Sequence, residues 1–127
     1  MSEITWLMIA VVVGLVHLLV AAQMAQKYRT IEWNVGPRDA PMDTKGGAAR
    51  VERAYRNFME TFPLFAAAAL AVAVQHKTGG VAFWGAAIYV VGRAVYVPLY
   101  VAGIPYIRSL VWTIATVGLV MVIIAAF

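Results

Sequence analysis

The sequence predicts an all-α membrane protein, a single domain over residues 1–127 folded as a bundle of four transmembrane helices. Three observations carry this. Hydrophobic residues make up 63% of the chain and charged residues 13%, where soluble domains are about half apolar and about a quarter charged. Mean hydropathy is +0.80. A chain of 127 residues has too little interior to hide that much apolar surface from water, so the excess must face lipid. Together these exclude a disordered chain, a nucleic-acid-binding domain and an ordinary cytosolic enzyme. Cysteine is absent, so any thiol chemistry needs a thiol brought by a substrate. His17 and His76 are far apart with no matching carboxylate pattern, which argues against a metal site.

Four spans follow in order. The first uncharged run covers residues 4–26, enough to cross about 30 Å of hydrocarbon as a helix. It follows Met-Ser-Glu, with an acid where a secretory signal carries a base, so it reads as a retained span. The second span covers about 57–76 and must take Glu60 inside. The third covers about 80–102 and must take Arg93 inside. The fourth covers 105–127, with Pro105 suited to a first helical turn. Lys77-Thr78-Gly79-Gly80 and Gly103-Ile104-Pro105 make the tight connections. The one long connection spans about 27–45 and holds Gly36-Pro37 and Pro41. Asp43 or Thr44 is then placed to cap a helix that starts before the membrane and continues as the second span.

The bases are crowded onto one side. Lys27, Arg29, Arg38, Lys45, Arg50, Arg53 and Arg56 lie between the first and second spans, and Arg108 between the third and fourth. Lys77 alone lies in the opposite connection. By the positive-inside rule the crowded side is cytoplasmic and both termini point outward. Lys27, Arg29, Arg38 and Lys45 read mainly as topology signals and contacts to lipid phosphates. Trp6, Trp33 and Trp112 read as packing or interfacial aromatics. His17 reads as a packed polar contact.

An ionisable residue within a span is costly and faces the bundle interior or a watery cavity. On the second helix, Arg50, Arg53, Asn57 and Glu60 recur at helical spacing and form one stripe. Arg56 lies at its edge, four before Glu60, where the two can pair. On the third helix, Tyr89, Arg93, Tyr96 and Tyr100 form another. The two stripes should converge, with Arg108 at the mouth. A buried Glu60–Arg93 pair accounts for those two residues alone. It leaves Arg53, Asn57, Tyr96, Tyr100 and Arg108 unexplained. Guanidinium groups suit carboxylates or phosphates, a Glu suits an ammonium, and an Asn both donates and accepts. That inventory fits a small zwitterion with more than one carboxylate, entering from the basic side, with an apolar co-substrate arriving from the bilayer.

Val51-Glu52-Arg53-Ala54-Tyr55-Arg56-Asn57-Phe58-Met59-Glu60-Thr61-Phe62-Pro63 resembles the signature of the MAPEG family, the membrane-associated proteins in eicosanoid and glutathione metabolism. Gly92-Arg93-Ala94-Val95-Tyr96, Tyr100 and Ile107-Arg108-Ser109 resemble its third- and fourth-helix segments. Gly36-Pro37-Arg38-Asp39 and the short length resemble its bacterial branch, in an inner membrane. The resemblance implies a homotrimer of four-helix bundles with glutathione, as co-substrate, bound between neighbouring subunits. It implies a glutathione transferase or peroxidase acting on a lipophilic small molecule. Arg53, Asn57, Glu60, Arg93, Tyr96 and Tyr100 match glutathione contacts, and Arg108 matches the arginine that stabilises the thiolate. Arg56 and Ser109 are weaker matches, and Arg50, on the same stripe, is a possible further contact. The family's first-helix arginine has no clear counterpart, with Lys27 or Arg29 the nearest. Two readings stand beside this one. A MAPEG-fold protein without activity shares every motif. A small proton-coupled multidrug exporter shares the four spans, but such exporters resemble each other in a lone first-span carboxylate that is lacking here.

Overall fold

The structure, a computed structural model, describes residues 2–127. Five helices follow in order: α1 (Glu3–Ala25), α2 (Ile31–Val35), α3 (Gly46–Val74), α4 (Val81–Val101) and α5 (Pro105–Ala126). Four of them, α1, α3, α4 and α5, are long and apolar enough to cross a membrane. The fold is thus an all-α bundle of four membrane-spanning helices, and the protein is an integral membrane protein. Ser2 caps α1 by accepting the Thr5 N–H. Pro105 opens α5, where a missing N–H costs nothing. At 29 residues α3 is about 44 Å long. It therefore exceeds the hydrocarbon layer and projects its basic N-terminal turns beyond it.

Two local expectations fail. The residue that caps α3 is Lys45, and no side chain caps this helix. Thr44 spends its hydroxyl on Glu52 at 3.1 Å instead, and Glu52 also takes Arg29 at 2.6 Å. The pair to Arg29 draws the end of the connection against α3, which removes Thr44 from a capping position. The connection also contains α2, whose five residues are capped by the Thr30 hydroxyl. The Trp33 ring of α2 is 5.1 Å from the Arg29 guanidinium carbon and 5.2 Å from that of Arg38.

The core is built from small residues. Ala10, Ala69, Ala82, Ala86 and Ala115 are fully buried, with Phe65 and Tyr89 stacked among them at 4.3 Å. Association within lipid gains nothing from hiding apolar surface, so it depends on close packing. The tightest contact is between α4 and α5. A Cβ on Gly118 would lie 2.7 Å from the Gly85 carbonyl oxygen and 2.7 Å from the Tyr89 nitrogen. Val12, Leu15 and Leu19 of α1, with Leu110 and Ile124 of α5, stay exposed on the outside, as lipid-facing side chains must.

Polar ties hold the two ends. At one end the Gly79 N–H donates to the buried Glu3 carboxylate at 2.6 Å, Lys77 donates to the Phe127 carbonyl at 2.8 Å, and Gln75 to the Ala126 carbonyl at 2.9 Å. Both termini and the α3–α4 connection therefore meet there. At the other end Arg50 donates to the Val101 carbonyl at 2.8 Å, closing the last turn of α4.

Because a side chain on Gly118 meets backbone that cannot yield, Gly118→Leu should cost about 1–3 kcal/mol, read as denaturant stability in mild detergent. Unchanged stability would contradict the close α4–α5 approach.

Candidate functional site

The α3 and α4 stripes meet at the basic end of the bundle. Arg93 is 1% exposed. Its Nη2 donates to Asn57 Oδ1 at 2.9 Å, and its guanidinium carbon lies 4.3 Å from the centre of the Tyr96 ring and 5.9 Å from that of Phe58. Its Nε and Nη1 have no partner among the described residues. One turn nearer the mouth, Arg53 Nε donates to the Tyr100 hydroxyl at 3.1 Å. The Arg108 guanidinium carbon lies 4.7 Å from the centre of the same Tyr100 ring. Cation–π contacts of this kind orient a guanidinium without using its donors, so Arg108 keeps its N–H groups for a ligand.

These contacts shape an open cleft of about 390 Å³, lined by Asn57, Tyr96, Tyr100, Arg108, Ser109 and Trp112. Arg93 lies behind Asn57 and Tyr96, and Arg53 beside Tyr100. Three guanidinium groups thus stand around one cleft, and no carboxylate is within ion-pair distance of any of them among the described residues. Such an arrangement favours an anion with carboxylates, which guanidinium groups bind in a fork.

The remaining candidates lie elsewhere or are engaged. Arg50 is held by the α4 terminus. The Ser109 hydroxyl donates to the Pro105 carbonyl at 3.2 Å although it borders the cleft. Glu60 is exposed on the bundle surface. Neither the Glu60–Arg93 pair nor the Glu60–Arg56 pair forms among the described residues. The reason is the relative height of α3 and α4: Asn57, one turn earlier on the same stripe, lies level with Arg93 and bonds to it. Arg56 turns to a second cavity of about 750 Å³ between α1 and α3, which it lines with Arg29, Arg38, Glu52 and Tyr55.

Trp112 and Thr113 also line the cleft, a role that sequence reasoning missed. A signal existed, since Trp112 follows Arg108 by one helical turn and must share its face. Arg29, read as a topology signal and as a substitute for the family's first-helix arginine, is in a short ion pair with Glu52 at 2.6 Å.

Removing the one hydrogen-bond acceptor of a buried guanidinium leaves its donor unsatisfied. Asn57→Ala should therefore lower stability in detergent by about 1–3 kcal/mol, whereas Asn57→Asp, which keeps an acceptor, should lose less. Equal melting of both variants and the parent would contradict the Arg93–Asn57 anchor.

No curated protein and no solved structure matches the chain. A family model does, the MAPEG family, over residues 4–127. That stretch is nearly the whole chain and contains both stripes, all four spans and the cleft. The chain belongs to the MAPEG family.

Proposed function

We propose that this protein is a membrane glutathione transferase or peroxidase that activates the glutathione thiol against lipophilic electrophiles or hydroperoxides. The observation that carries the reading is the cleft in which Arg108 stands over Tyr100, with Tyr96 on the same wall and Arg53 and Arg93 adjoining. MAPEG proteins generally use glutathione, a tripeptide with two carboxylates and an ammonium. Arg53 suits a carboxylate and Asn57 an amide group, Arg93 adds its charge from behind Asn57, and Glu60, on the exposed face outside the cleft, suits the ammonium.

A free thiol has a pKa near about 8.5, so a small fraction is thiolate at neutral pH. A guanidinium in a partly desolvated site favours the thiolate. Arg108 supplies that charge, and the hydroxyl of Tyr96 or Tyr100 supplies a hydrogen bond. The thiolate sulfur then attacks an electrophilic carbon. A sulfur–carbon bond forms and the leaving group departs with its electron pair. With a hydroperoxide the thiolate attacks oxygen, the oxygen–oxygen bond breaks and the alkoxide takes up a proton. A second glutathione converts the resulting sulfenic acid to the disulfide, releasing water. The apolar co-substrate reaches the cleft from the bilayer, past Trp112.

Self-association as a homotrimer belongs to this proposal. Glu60 is ionisable, sits within a span, and is exposed on the single bundle. Lipid is a poor neighbour for a carboxylate, so another copy that covers this face removes a large cost. The bacterial branch, the inner membrane and a cytoplasmic basic end complete the reading, in keeping with the positive-inside rule.

Arg108→Ala should raise the pKa of the bound glutathione thiol by about one unit or more, and so lower its thiolate fraction at neutral pH, because one charge contact is lost. Glutathione affinity should fall far less. Unchanged thiolate absorbance in the variant would overturn the role of Arg108. As the chain has no cysteine, single cysteines at Asp39 and Thr78 report orientation directly. Membrane-impermeant maleimide added outside intact cells should label Thr78→Cys alone, and labelling of Asp39→Cys alone would reverse the assignment.

A further inference from the structure

Arg56 has no place in the cleft described above. It opens instead on the cavity of about 750 Å³ between α1 and α3, at the basic end of the bundle. Arg29 and Arg38 line the same cavity, and Glu52 is the one carboxylate among its lining residues. That carboxylate is already engaged: it accepts from Arg29 at 2.6 Å and from Thr44 at 3.1 Å. The Asn34 carbonyl braces Arg38, accepting from its Nε at 3.1 Å and its Nη2 at 2.9 Å. Arg56 is exposed and makes no ion pair among the described residues. The cavity thus holds more positive charge than its own carboxylate balances, and the balance must come from outside the chain.

The rest of the lining is apolar. It comprises Leu18, Ala21, Ala22 and Ala25 of α1 with Met59 of α3. A second cavity, of about 180 Å³, continues the first down the same seam. The two share Leu18, Tyr55 and Met59, and the second runs on past Val11, Gly14 and Phe62. Its lining has no charged residue. Gly14 keeps this track open to Phe58, whose ring would lie 3.0 Å from a Cβ placed there. From Ala25 to Ala10 the two cavities follow α1 for about 22 Å. One leaflet's share of the hydrocarbon is roughly 15 Å. Leu15 and Leu18 are exposed along the track, so it opens to the acyl chains of the bilayer.

We infer that this seam binds an anionic phospholipid, its phosphate among Arg56, Arg38 and Arg29 and one acyl chain in the track toward Gly14. Basic pockets between membrane-spanning helices on the cytoplasmic side suit anionic headgroups, and a guanidinium binds phosphate in a fork. The apolar track separates this ligand from a wholly polar anion, which would leave the α1 wall uncovered. The site shares no lining residue with the Arg108 cleft, and Glu60 lines neither of its cavities. It is independent of glutathione and stands whether or not that cleft is catalytic.

The test places the full-length protein in nanodiscs of equal parts phosphatidylglycerol and phosphatidylcholine with matched acyl chains. Native mass spectrometry then counts the lipids that stay bound on release. Phosphatidylglycerol should be retained in preference to phosphatidylcholine, and added inorganic phosphate should not displace it. Arg56→Gln should weaken that retention about tenfold. Ala22→Phe leaves every charge in place and fills the cavity from the exposed side of α1. It should abolish the retention even if Arg56→Gln fails to fold. Arg53→Gln removes a guanidinium of the same helix from the other cleft and should leave lipid retention as in the parent. Four results would overturn the site: equal retention of the two lipids, retention that survives both cavity variants, an equal loss in Arg53→Gln, or a photoreactive benzophenone side chain at position 22 that captures a second copy of the chain in place of lipid.

Discussion

The bundle is organised around one charge that lipid cannot accommodate. Arg93 lies in the third membrane-spanning helix, 1% exposed, and donates to Asn57 across the α3–α4 interface. A guanidinium in such a place needs an acceptor and a polarisable neighbour. Asn57 is the first and the Tyr96 ring the second. Meeting both needs fixes how α3 and α4 are rotated about their own axes. With that rotation set, Arg53 reaches the Tyr100 hydroxyl and Arg108 lies over the Tyr100 ring. The anion-favouring cleft thus follows from housing one buried arginine.

The packing elsewhere serves the same geometry. Gly85 and Gly118 let α4 and α5 approach until their backbones touch. That contact sets where α5 begins, and so where Arg108 stands relative to Tyr100. At the far end the buried Glu3 carboxylate holds the Gly79 turn, and at the near end Arg50 closes α4. The helices are therefore tied at both ends and locked by small residues in the middle, which leaves the outer surface free for lipid.

Much of this was legible in the sequence, and the reasons are physical. A run of apolar residues about twenty long has one stable form in a bilayer, so the first and last spans could be read from hydropathy, and the middle two once Glu60 and Arg93 were taken inside them. The stripes on α3 and α4 were legible because helical spacing puts their residues on one face. Family membership was legible because most residues of both stripes lie in segments that resemble the family's, and the family model covers residues 4–127. The identity of Arg93's partner was not legible. Asn57 and Glu60 share a stripe, and choosing between them needs the relative height of two helices, which depends on packing far from either. The five residues of α2 are too few to show a helical period. The diversion of Thr44 to Glu52 depends on a tertiary contact from Arg29, so the loss of the expected cap had no local signal. The same holds for the Arg56 cavity, which exists only once the long connection folds back between α1 and α3.

The central claim is that the Arg-rich cleft of this bundle is a glutathione site. Ligand that binds the folded state alone raises stability by mass action. Calorimetric titration of the detergent-purified protein with glutathione tests this most directly, with the melting temperature followed in parallel. A saturable heat at or below millimolar ligand, with a melting temperature that climbs with ligand, is the predicted result. Absence of both heat and thermal stabilisation at millimolar glutathione would contradict the account and leave a family fold without the family's ligand.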